Sequence, residues 1–381
     1  MRVLFTFAGG AGHAEPLLPL ARAAAARGHV VAITGRSWVT ATLAVPGLTV
    51  LPEPRPSGEP PVRTPWRPFS AEREEAALRD GFADRIARVR AAGLLEICAG
   101  WRPDVVVRDE LDFGSAVAAE ALGLPRATVL VTAAGFVRPD VVAGPLDRLR
   151  AEHGLHPDPH LGALDLDLVL SPFPPTLRDP AVALGRRARA VRLGPAGAGR
   201  SPVPDGRPTV VVTLGTVFTL ESGNLLARLV AGVRDLGVNV VVTVGHHVDP
   251  ADLGPQPPHV VVERYVPISD LLADADLVIS HGGSGTVTAA LAHGLPSVLV
   301  PMGADQFLNA ARGETLGFAR TVDAWSVDPA SIRRDVTVVL DDPRYRRAAA
   351  VLQAEIDALP GPDHAVDLLE AVADGPARAT N

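Results

Sequence analysis

The 381-residue sequence contains no lysine: its 36 basic side chains are all arginine, set against 43 acidic ones. With a net charge of −7 and aromatics at only 4%, it offers neither a phosphate-neutralising face nor a base-stacking platform, so no nucleic-acid partner is expected. A P-loop needs a lysine to reach a phosphate, and ATPase chemistry is disfavoured with it. The single cysteine, Cys98, excludes an internal disulfide and a cysteine-based zinc cluster, and reads as a buried helical thiol in a reducing compartment. No apolar run approaches the ~18 residues that span a membrane. The apolar stretch after Met1 is too short for a signal-peptide core, so a cytoplasmic protein is expected.

What is present suits two soluble domains: 47% apolar and 21% charged residues, in a chain too long for one ordinary core. A strand pattern from Arg2 runs into the glycine-rich turn Ala8-Gly9-Gly10-Ala11-Gly12-His13, then a helical stretch from Pro16 to Arg27 and the strand Val30–Ile33. A Pro- and Gly-rich loop over 52–68, a helical stretch over 70–99, and a strand pattern from Pro103 ending at Arg108-Asp109 follow. Alternating strands and helices predict an α/β protein with parallel sheets covered on both faces. The aperiodic segment 195–208 is the expected linker between a first domain at 1–194 and a second at 209–360; a helix within 361–381 is expected to brace the first.

Between a strand and a helix in the second half stands Ser280-His281-Gly282-Gly283-Ser284-Gly285-Thr286. Glycines let backbone N–H groups approach an anion, and a helix N-terminus adds partial positive charge, a combination suited to a diphosphate. A plain strand-to-helix turn would need glycine too, but not the interleaved His, Ser and Thr. The glycine spacing is not that of a dinucleotide fingerprint, which disfavours a nicotinamide-dependent oxidoreductase. His13 lies where the first strand hands over to a helix, and Asp109 ends a neighbouring strand, so the two are candidates for a general base and its carboxylate partner; simple helix capping is the alternative for each. Glu15 and Asp112 are further carboxylates near them. The strings Asp165-Leu166-Asp167 and Asp274-Ala275-Asp276 read as turn carboxylates rather than metal ligands, and His246-His247 lacks a visible third ligand.

These motifs, in this order, resemble the inverting GT-B-fold glycosyltransferases of family 1 that decorate macrolides, enediynes and aromatic polyketides, relatives of the UDP-glycosyltransferases. The similarity runs along nearly the whole chain and is densest in residues 1–34 and 259–310. Gly10-Ala11-Gly12-His13-Ala14-Glu15-Pro16 is similar to the acceptor-side signature. Arg264-Tyr265-Val266-Pro267, His281 to Thr286, and Pro301-Met302-Gly303-Ala304-Asp305-Gln306 with Asn309 are similar to the donor-binding block.

The resemblance implies two facing Rossmann-like halves and a general base at His13, oriented by Asp109. It implies a diphosphate site at Thr216, His281, Gly282, Gly283, Ser284, Gly285 and Thr286, and sugar hydroxyls held by Asp305 and Gln306. Val266 would meet the nucleotide base through its backbone, and Tyr265, where the family commonly has Trp, would pack beside it.

The expected reaction moves a (deoxy)hexose from a dTDP- or UDP-sugar to a lipophilic natural-product aglycone with inversion. It uses no metal and no cofactor beyond the nucleotide-sugar co-substrate. Loop 52–68 and segment 135–154 are expected to shape the aglycone pocket, and a homodimer is one option for assembly. A nucleotide-sugar 2-epimerase-like enzyme and a catalytically silent sugar-nucleotide-binding helper stay open as alternatives, as does a C-glycosidic product.

Overall fold

Two runs of alternating strand and helix build two parallel sheets. The computed structural model describes residues 1–43, 45–194, 206–246 and 248–375; Ala44, residues 195–205 of the anticipated linker, His247 and positions 376–381 lie outside them. The first sheet contains β1 (Arg2–Thr6), β2 (Val30–Thr34), β3 (Leu48–Val50), β4 (Val105–Asp109), β5 (Arg126–Val129), β6 (Leu168–Ser171) and β7 (Ala188–Ala190), in the order 3-2-1-4-5-6-7. The second contains β8 (Thr209–Thr213), β9 (Asn239–Thr243), β10 (Val260–Glu263), β11 (Leu277–Ser280), β12 (Ser297–Leu299) and β13 (Ala319–Thr321), in the order 10-9-8-11-12-13. All pairings are parallel.

Period-two alternation assigns each strand residue to a face, and both faces are buried. In the first sheet Val3, Phe5, Val105 and Val107 enter one core, whereas Leu4 and Val106 enter the other. In the second, Val210, Val212, Leu277 and Ile279 point one way, and Val211 and Val278 the other. Helices cover each side, giving two doubly wound halves.

The halves meet through a shared apolar cluster. Leu130, Ala133, Phe173 and Leu177 of the first pack with Val287, Leu291, Phe318, Leu352 and Ile356 of the second. The helix Pro362–Ala373 then crosses back: Ala365, Val366 and Leu369 are fully buried in the core built on β1 and β2. Arg27 clasps its rim through the Asp363 carbonyl at 3.0 Å and Asp367 at 2.5 Å.

Segment 135–154, expected among the loops, is mostly the helix Pro139–Glu152, which buries Val141, Val142, Leu146 and Leu149. Pro145 lies inside this helix. The helical stretch after 70 starts with a Ser70 cap on the Arg73 amide and widens to π geometry over Ala77–Ile86 before closing as Ala87–Trp101. Cys98 is buried in that last turn, and burial pushes its thiol up to about 11.

Candidate active site

Strand order reverses between β1 and β4 in the first sheet and between β8 and β11 in the second. In open α/β sheets such reversals leave a crevice at the carboxyl ends of the strands. His13 follows β1 and Asp109 ends β4; Thr216 follows β8 and His281 follows β11. Topology alone therefore brings these four side chains to the two crevice mouths.

His13 Nδ1 lies 3.1 Å from Asp109 Oδ1. Asp109 is fully buried, and its carboxylate also accepts the backbone N–H groups of Ala8 and Leu111, each at 2.6 Å. Because a carboxylate only accepts, this contact places the imidazole proton on Nδ1 and leaves Nε2 with a lone pair. The ring stacks on Phe82 at 5.6 Å and 9°, and a Cβ at Gly9 would fall 2.1 Å from it, so the turn needs glycine there. Asp112 is committed elsewhere: it pairs with buried Arg90 at 2.9 Å and caps the helix Phe113–Ala121. Burial alone would raise the Asp112 carboxyl, but the Arg90 guanidinium holds it below its ordinary range.

In the second half the His281 ring is wedged between two glycines, where a Cβ at Gly215 or Gly283 would come within 2.8 or 2.5 Å of it. Burial pushes His281 down to about 4, so it is neutral at pH 7, and its buried Nδ1 has no hydrogen-bond partner. The helix Ser284–Ala292 starts with no side-chain cap, so the first-turn amides of Ser284, Gly285 and Thr286 present N–H groups beside Gly282 and Gly283. Such a cradle fits an anion. The Val266 side chain packs toward Leu271 and Leu272. The half-exposed ring of Tyr265 stacks on His246 at 3.9 Å and faces Glu15 of the other half. Solvent reaches Glu15, but the cleft walls crowd it; this desolvation raises its carboxyl despite a hydrogen bond from Tyr265, whose own hydroxyl is pushed up to about 12 by burial and by Glu15.

Asp305 and Gln306 open the helix Gln306–Leu316. Asp305 is buried, which raises its carboxyl; hydrogen bonds from Ser284 and Asn309 partly offset this. Its Oδ2 accepts from the Ser284 hydroxyl and, at 2.9 Å, from Asn309 Nδ2. The Gln306 oxygen is taken by the Met302 and Gly303 amides at 2.8 and 3.1 Å, so it shapes the loop before it. The Ser284 hydroxyl is likewise engaged with Asp305, leaving its backbone amide for the anion cradle.

Asp167 is not a turn carboxylate: it is fully buried and pairs with Arg126 at 2.8 Å, whereas the partly exposed Asp276 pairs with Arg346 at 3.0 Å. Among the described residues no three His, Cys, Asp or Glu side chains group as metal ligands. The residues missed by sequence reasoning are Phe82, Glu74 and the amides of Ala133 and Ala134. None had a local signal, since only tertiary packing brings them to the cleft. Asn309 was visible within its block but carried no assigned role.

Residues 227–372 match the family described as erythromycin biosynthesis protein CIII-like, C-terminal domain. The chain is 30% identical to L-demethylnoviosyl transferase of Streptomyces niveus, over 95% of this chain and 96% of that one. It is similar in structure to the glycosyltransferase SnogD from Streptomyces nogalater, with TM-score 0.78 and 29% identity over 98% of this chain and 99% of that one. It is also similar to the spinosyn rhamnosyltransferase SpnG complexed with thymidine diphosphate, with TM-score 0.81 and 27% identity over 97% of this chain and 100% of that one. Among the described residues no helix is long and apolar enough to cross a membrane.

Proposed function

Because the chain belongs to the GT-B-fold, family 1 tailoring glycosyltransferases, enzymes that transfer a glycosyl group, we propose that it moves a hexose or deoxyhexose from a dTDP- or UDP-sugar onto a lipophilic natural-product hydroxyl with inversion. The observation that carries this reading is the pairing of two halves: the His13–Asp109 dyad on one, and on the other Asp305 beside the His281 turn, held to the first half through the Ala133 amide on Ser284 at 2.7 Å.

His13 Nε2 takes the proton of the acceptor hydroxyl while Asp109 holds Nδ1 and stabilises the imidazolium that forms. The freed oxygen attacks the anomeric carbon from the side opposite the nucleotide. The carbon–oxygen bond to the diphosphate breaks, and its electron pair stays on the phosphate. That charge is met by the amides of Gly283 to Thr286, the Gly282 amide being already given to Ser280 Oγ at 3.2 Å, and by hydrogen bonding from neutral His281 and Thr216, fixed dipoles that need no reorganisation. Asp305 and the NH2 end of Gln306, whose oxygen is held by the Met302 and Gly303 amides, address the sugar hydroxyls, and Val266 and Tyr265 the base.

The comparison that tests this is a thermal-shift titration with dTDP and UDP at matched concentration, since a ligand bound only by the folded state raises the melting temperature. One of the two should stabilise the protein. No shift with either would overturn the donor site.

A further inference from the structure

We propose that Glu74 of the first half and the Ser284–Asn309 pair of the second are positioning residues that aim the Asp305 carboxylate at the donor sugar only when the two halves meet. This rests on the reading that Asp305 contacts the sugar.

The polarity of the hydrogen bonds supplies the mechanism. The amide of Ala133, in the loop after β5, donates to Ser284 Oγ at 2.7 Å, and that of Ala134 donates to Asn309 Oδ1 at 3.2 Å. A hydroxyl has one hydrogen, and an amide side chain has one oxygen and one nitrogen end. With the Ala133 amide and Asn309 Nδ2 both donating to Ser284 Oγ, its two lone pairs are filled and the hydroxyl hydrogen goes to Asp305. With Ala134 on Oδ1, Asn309 must turn its NH2 toward Asp305, Gly282 O and Ser284. The first half thus orients both donors that fix Asp305 Oδ2.

The loop that delivers those amides is itself fixed. Glu110, next to Asp109 at the end of β4, accepts Val131 N, Thr132 N and Thr132 Oγ1 at 3.1, 3.0 and 2.7 Å. An unbroken series of bonded residues therefore links the partner of His13 to the carboxylate across the cleft.

The other flank of Asp305 is gripped as well. Ala304, a non-glycine residue at φ 50°, donates its N–H to Glu74 Oε2 at 2.9 Å, and Phe69 packs on Phe307 at 4.1 Å between centroids. A left-handed alanine needs outside support, and here the support comes from the opposite half.

Calorimetric titration of the full chain with dTDP, UDP, dTDP-glucose and UDP-glucose separates nucleotide binding from sugar binding. Glu74→Ala should weaken the sugar nucleotide about tenfold, the size of one hydrogen bond to a charged group, and leave the free diphosphate unchanged. Glu74→Gln should restore it, because its amide oxygen still accepts from Ala304. Combined with Asp305→Ala, Glu74→Ala should add no further loss, whereas a merely structural role would be additive. Ser284→Ala should behave like Glu74→Ala.

Equal weakening of diphosphate and sugar nucleotide, or additivity with Asp305→Ala, would overturn the coupling. Wild-type protein that binds neither diphosphate would remove the donor-site reading and this proposal with it.

Discussion

His13 and Asp109, ninety-six positions apart, are joined by a 3.1 Å hydrogen bond in which the carboxylate is anchored by two further backbone donors. The two residues should therefore fail differently. His13→Ala should lower turnover by about 10² or more with little change in the denaturant midpoint. Asp109→Asn should lower turnover and also cost about 1–3 kcal/mol of stability, because an amide cannot accept from all three donors. Steady-state rates and urea unfolding of both variants check this; full turnover in His13→Ala would remove it as the base.

The pH response of His281 follows from its burial. Its folded pKa of about 4 lies below the ordinary 6.5, so between these values the unfolded chain binds the extra proton. Its contribution to stability is whole above pH 6.5 and is lost as pH falls toward 4, amounting to about 3 kcal/mol. Non-titrating His281→Asn should show a shallower loss than wild type over this window when unfolding is followed by denaturant at several pH values. Parallel curves would contradict the assignment.

Asp305 moves the other way. Burial raises its carboxyl, so it takes a proton at higher pH than an ordinary aspartate. Contact with a sugar hydroxyl through a carboxylate should weaken as pH falls through that raised value. The sugar-nucleotide KM should rise on the acid limb in wild type, and Asp305→Asn should flatten that limb while raising KM throughout.

Loop 52–68 is seated on the opposite half. Trp66 packs on Trp325 at 4.8 Å, lies under the Arg228 guanidinium at 5.0 Å and covers Gly223, while the Thr64 amide donates to the Leu220 carbonyl at 3.2 Å. Trp66→Ala should free this strap without unfolding either core. Limited proteolysis should then cut within 52–70 faster than in wild type, at a nearly unchanged melting temperature.

Leu369 is fully buried against the first half although it stands near the far end of the chain. Leu369→Ala should cost about 2–5 kcal/mol in chemical denaturation. Exposed Val351 offers the contrast, since Val351→Ala should change little.

The central strands were legible because runs such as Val105-Val106-Val107 and Val210-Val211-Val212 are buried on both faces and follow turn residues. Three of the four edge strands were not: Leu48–Val50, Ala188–Ala190 and Ala319–Thr321 have three residues each, too few for a period, and the last two carry an arginine at the centre. Segment 135–154 was expected among the pocket-shaping loops, yet most of it is helix despite Pro139 and Pro145. Pro139 sits at the helix start, where no donor is needed, and Pro145 is tolerated within a packed helix. His13, Asp109 and the His281 turn could be found because each stands at or just after a strand end, where the topology places a crevice. The contacts of Glu74, Ala133 and Ala134 could not, since each depends on how the halves dock.

The return of Pro362–Ala373 to the first half has a consequence for biosynthesis. The amino-terminal core emerges from the ribosome first, yet the groove that receives Leu369 stays uncovered until the whole donor half has been translated. Completion of the acceptor side is thereby tied to the arrival of the other half, and a chain lacking Pro362–Ala373 would carry an uncovered apolar groove over the core built on β1 and β2.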